Sequence, residues 1–275
     1  MKYAQVSILF LFIAGYCFAA KVEPVIVFSD SMNIGVETMI ISPQEPTGPS
    51  SVIYLLHGYG GDASTWIRIS PDLKKWSDNS NIIFVCPNGK NNWWFDSPMH
   101  GGLRYETFVA KELVAYIESN YNCMQSSKYR AISGYDFGGN GALYIASKNT
   151  GVFKNAGSIS GTLDLFRMQW NELDHSPGQD FNLSTILGNQ NKYRSAWQNH
   201  SMLYRIDQIK NAQLNLIIDC GIYGNQIFDV NDELHNILTK KKIPHTYISG
   251  ADGQTVLYWR KAIEYQILFF ISCFN

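Results

Sequence analysis

A sharp turn between two glycines holds the residue of this chain that could carry covalent chemistry. The segment 131–139 reads Ala-Ile-Ser-Gly-Tyr-Asp-Phe-Gly-Gly, which is the G-x-S-x-G pattern of a nucleophile elbow with Asp136 in the serine position. Gly134 and Gly138 let a strand reverse into a helix without side-chain clashes, so Asp136 is expected to project above a helix N-terminus. A serine there attacks esters, whereas an aspartate is either a different nucleophile or an inert plug.

Strands and helices alternate along the chain and must position this turn. Apolar, β-branched runs predict strands at 22–28, 36–41, 51–56, 81–86, 129–133, 156–159, 214–218 and 245–248, the first two antiparallel. Helices are predicted over 105–121, 139–148, 230–238 and 257–270. The alternation favours an α/β fold, with a mostly parallel sheet covered by helices on both faces and ligands at the carboxyl ends of the strands.

Composition sets the scale of the fold and the kinds of ligand. The chain has 275 residues, 45% of them hydrophobic, which predicts one large domain over 21–275. A net charge of −1 gives no electrostatic reason to bind nucleic acid, so a neutral or weakly charged ligand is expected. No Cys-x-x-Cys or His-x-x-x-His spacing occurs, and we therefore expect no metal site and no cofactor.

Residues 1–20 have the pattern of a secretory signal peptide. Lys2 precedes an apolar run at 6–14, and small residues follow at Ala19 and Ala20. This predicts export to the periplasm or secretion, with no membrane span in the mature chain. A lipoprotein anchor on Cys17 or an uncleaved anchor is the alternative, although Tyr16 stands where a lipoprotein site requires a small residue.

The segment 165–199 has little periodicity and is rich in Asn, Gln and Trp. An irregular insertion after a strand serves either as a lid or binding loop or as a surface excursion without function, and the sequence leaves both readings open.

Several motifs together resemble the esterase family of α/β-hydrolases, which includes esterase D (S-formylglutathione hydrolase), acetyl xylan and feruloyl esterases and tributyrin esterases. These motifs are Leu-Leu-His-Gly-Tyr-Gly-Gly at 55–61, Asn-Trp-Trp-Phe-Asp-Ser-Pro at 92–98, Tyr-Glu-Thr at 105–107, the elbow, Ile-Asp-Cys-Gly at 218–221, Ile-Pro-His at 243–245 and Tyr-Trp at 258–259. The resemblance spans about residues 25–274 and implies an α/β-hydrolase fold with an eight-stranded, mostly parallel sheet.

Members of this family hydrolyse esters with a Ser-Asp-His triad, and all three positions are changed here. The resemblance places Asp136 at the serine, Asn225 at the acid, with Gly224 as the alternative, and Gln254 at the histidine. A glutamine amide cannot take the hydroxyl proton and return it to a leaving group. Losing triad members costs roughly a factor of 10⁶ in turnover in a serine protease, so the triad is expected to be degenerate and inactive.

The resemblance also implies which groups surround Asp136. The backbone N–H groups of Tyr59 and Phe137 fall where family members form an oxyanion hole. Facing these amides and a helix N-terminus, Asp136 is expected to be ionised and to fill the hole itself. We further expect it to accept hydrogen bonds from the side chain of Gln254 or Asn225.

Four residues near this cleft are candidates for binding a ligand. By the resemblance, His57 shapes the loop of the oxyanion hole, and Trp94 and Tyr135 offer aromatic faces for sugar rings or aryl acids, although such residues often belong to the core. Asp96 could orient a ligand hydroxyl, while a helix cap explains it equally well.

The sequence therefore predicts a pseudoenzyme that retains the esterase fold and binds a carbohydrate, an acylated glycan or a protein partner. The alternative is an active carboxylic ester hydrolase. It would use Asp136 as a nucleophile, as in the Gly-x-Asp-x-Gly elbow of haloalkane dehalogenases and epoxide hydrolases, or a relocated base. His100 and His175 are the candidates for that base.

Overall fold

The sheet that carries the elbow has eight strands. The computed structural model describes residues 20–168, 183–223 and 226–275. Within them the strands are β1 (Lys21–Ser29), β2 (Ile34–Ser42), β3 (Ser51–Leu56), β4 (Ile82–Pro87), β5 (Arg130–Gly134), β6 (Asn155–Ile159), β7 (Asn215–Gly221) and β8 (Thr246–Gly250). Their order across the sheet is β1-β2-β4-β3-β5-β6-β7-β8.

Strand direction changes only at one side of the sheet. The pairs β1–β2 and β2–β4 are antiparallel, and the remaining five pairs are parallel. The chain goes from β3 outward to β4 and then returns to β5 on the other side of β3. Such a reversal opens a crevice at the carboxyl ends of the two strands, and the loop after β3 and the elbow after β5 meet there.

Helices cover both faces of this sheet. They span Thr65–Ile69, Leu73–Ser80, Tyr105–Thr107, Val114–Asn120, Phe137–Lys148, Leu183–Leu187, Arg194–Asn199, Ile206–Ala212, Gln226–Lys240 and Val256–Phe274, and a π-helical segment, Phe108–Leu113, joins the third to the fourth. Side chains of β3 alternate between two apolar clusters, with Tyr54 and Leu56 in one and Ile53 and Leu55 in the other. The predicted α/β fold, with a mostly parallel sheet buried on both sides, is confirmed.

The segment 165–199, predicted to be an irregular insertion, contains regular structure where it is described. Its two short helices bury Leu183, Ile186, Leu187 and Trp197 in the larger apolar cluster. Residues 169–182 lie outside the described part of the chain, as do residues 1–19 of the predicted signal peptide. Among the helices that the structure describes, none is both long and apolar enough to cross a membrane.

Candidate functional site

Two glycines at the elbow allow three backbone segments to pack closely: the end of β5, the start of the following helix and the end of β3. Strand β5 ends at Gly134, and the elbow helix, Phe137–Lys148, begins three residues later. A Cβ atom on Gly134 would lie within 3 Å of the Gly138 backbone, and one on Gly138 would lie equally close to the carbonyl oxygen of Leu56. Between them, Asp136 has φ 53° and ψ −119°, a backbone conformation that residues other than glycine seldom adopt. The strained corner of a nucleophile elbow is therefore present, with a carboxylate at its tip.

Donors surround the carboxylate of Asp136 on both of its oxygens. The backbone N–H of Tyr59 donates to Oδ2 at 3.1 Å, and the hydroxyl of Thr162 donates to Oδ1 at 2.9 Å. The backbone N–H of Phe137 also hydrogen-bonds to this carboxylate. The side chain thus lies against the two backbone amides named from the sequence, and their role as an oxyanion hole stays a prediction.

Thr162 is a contact that sequence reasoning missed. It follows β6 in the segment Ser160-Gly161-Thr162, and its backbone N–H also donates to the carbonyl oxygen of Asp136, at 3.3 Å. Its only signal in the sequence was its place just after a parallel strand, where side chains from neighbouring strand ends converge.

Burial decides the charge of Asp136. It raises the pKa of the carboxyl to about 6, against the opposing effects of the Tyr59 amide, the Thr162 hydroxyl and the Phe137 amide. The donors and the helix N-terminus, which the sequence indicates, favour the anion, whereas the loss of solvent favours the protonated form. Asp136 is therefore mostly ionised at neutral pH but takes up a proton in mildly acidic solution.

The prediction that the side chain of Gln254 donates a hydrogen bond to Asp136 is wrong. Its side chain is exposed in the turn before the C-terminal helix, Val256–Phe274, and in the described part of the chain it makes no hydrogen bond to Asp136. In this turn Asp252 accepts from the backbone N–H of Gly253 and Thr255 caps the helix, which leaves Gln254 pointing outward. Asn225 and Gly224 lie outside the described residues.

His57 is fixed in place by hydrogen bonds to backbone on both sides of its ring. Nε2 accepts from the N–H of Gly89 at 2.9 Å, which makes Nδ1 the protonated nitrogen that donates to the carbonyl oxygen of Gly58 at 2.7 Å. Burial lowers the pKa of His57. With both nitrogens engaged and the ring buried, His57 holds the loop after β3 and has no free lone pair for proton transfer.

The other three ligand-binding candidates also have structural contacts. The ring of Tyr135 stacks on Trp259 at 4.2 Å between centroids, and Trp94 is buried, with Nε1 donating to the carbonyl oxygen of His57. Asp96 accepts from the backbone N–H of Thr107 at 2.9 Å and from its hydroxyl at 2.6 Å, and it pairs with Arg104 at 3.4 Å. Contact with a ligand stays a prediction for these residues, and their burial and hydrogen bonds do not favour it.

The histidines provide no base at the elbow within the residues that the structure describes, which include His57, His100, His200, His235 and His245. None of the five hydrogen-bonds to Asp136, and His100 is exposed. Burial lowers the pKa of His200 to about 4, and its ring contacts the hydroxyl of Tyr144. His235 and His245 hydrogen-bond to each other at 2.8 Å. His175 falls outside the described residues.

Exposed apolar side chains line the carboxyl edge of the sheet, where Asp136 lies. They are Tyr59, Ile222, Tyr223, Val256 and Leu257. The backbone N–H of Tyr223 donates to the carbonyl oxygen of Asp252, so the segment after β7 lies against the turn before the C-terminal helix. We call these five residues the apolar rim. Exposed apolar groups in the loops that follow neighbouring strand ends are candidates for a binding surface.

Metal ligands do not cluster in the parts of the chain that the structure describes. No group of three or more His, Cys, Asp or Glu side chains is placed to hold an ion there. Cys86, Cys123, Cys220 and Cys273 are free thiols, the first three of them buried.

The sheet order, the crevice after β3 and β5, and the strained corner between Gly134 and Gly138 define an α/β-hydrolase. Residues 29–268 match the family described as "Putative esterase", and the chain belongs to this family. The resemblance read from the motifs is therefore confirmed.

Known proteins similar to this chain agree with that assignment. Esterase Rv1288 of Mycobacterium tuberculosis is 28% identical over 231 residues, which cover 78% of this chain and 50% of that protein, so the chain spans half the length of this relative. The crystal structure of Mycobacterium tuberculosis MPT51 has a TM-score of 0.79 at 18% identity, covering 94% of this chain and 100% of the other. A ferulic acid esterase has a TM-score of 0.76 at 23% identity with the same coverage. The two structures support the fold alone.

Proposed function

We propose that this protein is a pseudoesterase, a non-catalytic member of its family that binds an ester-bearing ligand without cleaving it. The observation that carries the proposal is the carboxylate of Asp136, which accepts hydrogen bonds from the backbone N–H groups of Tyr59 and Phe137. An oxyanion hole accelerates acyl transfer because its donors are free to receive the charge that develops on the substrate carbonyl oxygen. Here an anion of the protein itself engages those donors.

The described contacts of Asp136 include no proton carrier, which also supports this proposal. Ester cleavage needs a group that takes a proton and returns it to the leaving alkoxide. Gln254, in the histidine position, has no titratable proton, and both ring nitrogens of His57 are engaged by backbone. Thr162 donates a hydrogen bond to Asp136, but an ordinary hydroxyl is too weak an acid to protonate a leaving group near neutral pH.

The ligand we propose is an acylated glycan. The apolar rim offers surface for an acyl or aryl group, and the chain's net charge of −1 gives no preference for a strongly charged ligand. Similar proteins include an acetyl esterase of Caldicellulosiruptor saccharolyticus and ferulic acid esterases, whose names indicate acetyl and feruloyl esters. A plain carbohydrate or a protein partner are the other ligands in this proposal. The signal-like segment 1–20 makes export, to the periplasm or outside the cell, part of it.

An active ester hydrolase is the second candidate, and the position of Asp136 at the strained corner favours it. Attack by a carboxylate oxygen on an ester carbonyl would form a mixed anhydride and break the bond to the alkoxide. That alkoxide needs a proton, and water must then be activated to cleave the anhydride. None of the described contacts of Asp136 supplies an acid or a base for these steps, so we favour the pseudoesterase.

A hydrolysis assay separates the two candidates. The purified protein is given p-nitrophenyl acetate and butyrate beside Asp136→Ala and Asp136→Asn. We expect the same rate for all three proteins, at the level of a protein-free blank. Turnover by the unaltered protein that disappears in both variants would establish catalysis by Asp136 and refute the pseudoesterase.

A binding assay tests the rim with a matched pair of variants. Leu257 belongs to the apolar rim and is 63% exposed, whereas Leu268 is 52% exposed on the same helix but lies outside the rim. In calorimetry with feruloylated and acetylated xylo-oligosaccharides, Leu257→Asp should weaken binding about tenfold, from the loss of buried apolar area. Leu268→Asp should leave it unchanged. Equal effects of the two variants, or no binding of either oligosaccharide, would exclude the rim as an acyl-glycan site.

A further inference from the structure

A second buried carboxylate, Asp219, lies in β7. Its side chain is 1% exposed, and Oδ1 accepts a hydrogen bond from the hydroxyl of Tyr258 on the C-terminal helix. The other oxygen, Oδ2, has no hydrogen-bond donor within the described part of the chain. A buried carboxylate oxygen without a donor is unfavourable, and buried polar groups generally have a partner. This oxygen lacks a donor but has almost no exposed surface, so a bound molecule must lie directly against it to donate a hydrogen bond.

A cavity of about 330 Å³ opens beside this carboxylate. One wall is the end of β8 and the following turn, residues 248–252, and the other is the face of the C-terminal helix that carries Tyr258, Lys261 and Tyr265. These three helix residues are spaced three and four apart, so they line one side of the cavity. The volume is within the usual range for a small-molecule pocket, and polar groups lie at both its floor and its mouth.

The charges around the cavity select a class of ligand. Asp219 and Asp252 disfavour an anion, and the exposed ammonium of Lys261 disfavours a cation. A hydroxyl group suits both, because its O–H can donate to Oδ2 of Asp219 while its oxygen accepts from a lysine N–H. Several hydroxyls on one small molecule could engage both ends of the cavity, and the half-exposed ring of Tyr265 offers an apolar face at the mouth.

This cavity is separate from the elbow. Asp136 accepts hydrogen bonds from Tyr59, Phe137 and Thr162, and neither Asp136 nor any of these donors lines the cavity. Binding here does not require Asp136 to be either catalytic or inert.

We infer that the cavity between β8 and the C-terminal helix is a binding site for a neutral polyhydroxylated ligand of monosaccharide size, with Asp219 as the buried acceptor. The proposal stands independently of the proposed function. It places one sugar-binding site at the edge of the sheet, beside the turn that carries Gln254.

Ligand-observed NMR and calorimetry test it with D-xylose and D-glucose as neutral probes, and with ethanolamine and D-glucuronate as a cationic and an anionic probe. We expect saturable binding of at least one neutral sugar, and at least about tenfold weaker binding of both charged probes, from unfavourable contacts with Lys261 or the carboxylates. No saturable binding of either sugar, or tighter binding of a charged probe, would overturn the proposal. So would a sugar-soaked crystal in which a single water molecule alone occupies the position next to Oδ2.

Variants locate the site. Asp219→Asn should weaken sugar binding about tenfold by removing a charge-assisted hydrogen bond, while Asp207→Asn, at an exposed helix position, leaves it unchanged. Because a change at a buried position can disturb folding, Lys261→Ala is the second variant, with Lys210→Ala on another exposed helix position as its control. Lys261→Ala should weaken binding several-fold and Lys210→Ala should not. Sugar binding that is unaffected by Lys261→Ala, or that is weakened equally by Lys210→Ala, would refute the assignment to this cavity.

Discussion

Replacing Asp136 by asparagine is expected to make the protein less sensitive to pH between about pH 4 and pH 7. Burial raises the pKa of Asp136 from 3.8 to about 6, so the folded protein holds this proton more tightly than the unfolded chain does. The stabilisation from the proton is fully present below the unfolded pKa and is lost as the pH rises through the folded pKa. Stability therefore falls with rising pH on account of this group.

The size of the effect follows from the two pKa values. At about 1.4 kcal/mol for each tenfold change in proton affinity, the ionised side chain costs about 3 kcal/mol of folding free energy well above pH 6. Most of this change, about 2–3 kcal/mol, falls between pH 4 and pH 7. Asparagine does not titrate, and its misfit with the donors around Asp136 adds a penalty that does not vary with pH.

Urea denaturation at pH 4, 5, 6 and 7 measures this quantity. The free energy of unfolding of Asp136→Asn minus that of the unaltered protein should rise by about 2–3 kcal/mol from pH 4 to pH 7. Taking the difference cancels the other titrating groups, including Asp219, whose pKa burial also raises to about 6. Asp207→Asn, at an exposed position, is the control for the substitution itself. A flat difference for Asp136→Asn would show that Asp136 is not desolvated as its burial implies.

Three further predictions concern the elbow and its support. The triple variant Asp136→Ser, Asn225→Asp and Gln254→His should hydrolyse p-nitrophenyl acetate measurably, while each single change should do almost nothing, because triad residues act as a unit. Gly138→Ala should lower the free energy of unfolding by about 3 kcal/mol or more in urea, since its Cβ would overlap the end of β3. His57→Ala should lower it by about 2–4 kcal/mol, through an orphaned backbone amide, an orphaned carbonyl and a cavity.

Each of these three predictions has its own control or contradicting result. A folded but fully inactive triple variant would mean that the cleft has diverged, or that Gly224 occupies the acid position. Gly151→Ala, where the added Cβ meets nothing within 4 Å, should change stability little and is the control for the elbow glycine. Unchanged stability of His57→Ala would show that its two backbone hydrogen bonds do not hold the loop after β3.

The sequence predicted the sheet well because burial on both faces leaves a continuous apolar run. Each of the eight predicted strands is present, with bounds that differ by a few residues at most. Helices Thr65–Ile69 and Leu73–Ser80 were not predicted, because they are short and bury few apolar side chains. The π-helical segment Phe108–Leu113 has the same apolar spacing as an α-helix at this length and gave no separate signal.

The site was predicted where its chemistry depends on local sequence and missed where it depends on distant contacts. Two glycines four residues apart are enough to place Asp136 at a sharp corner. The Thr162 donor lies 26 residues further on, and only the pairing of strand ends brings it near. The raised pKa of Asp136 likewise reflects the whole environment that removes its water, and no single neighbour in the sequence indicates it.

The energetics of Asp136 argue against a neutral drift from serine. Relative to its protonated form, the ionised carboxylate at this corner costs about 3 kcal/mol at neutral pH, a large part of the stability of a typical domain, whereas a serine has no such ionised form. Strained and unfavourably charged groups are generally retained where they act on a ligand or hold a site in one state. Three donors now converge on this carboxylate, so protonating it in mildly acidic solution would weaken their hydrogen bonds and loosen the loop that carries Tyr59. The same charge that prevents ester chemistry in our proposal would thus make the shape of the cleft depend on pH.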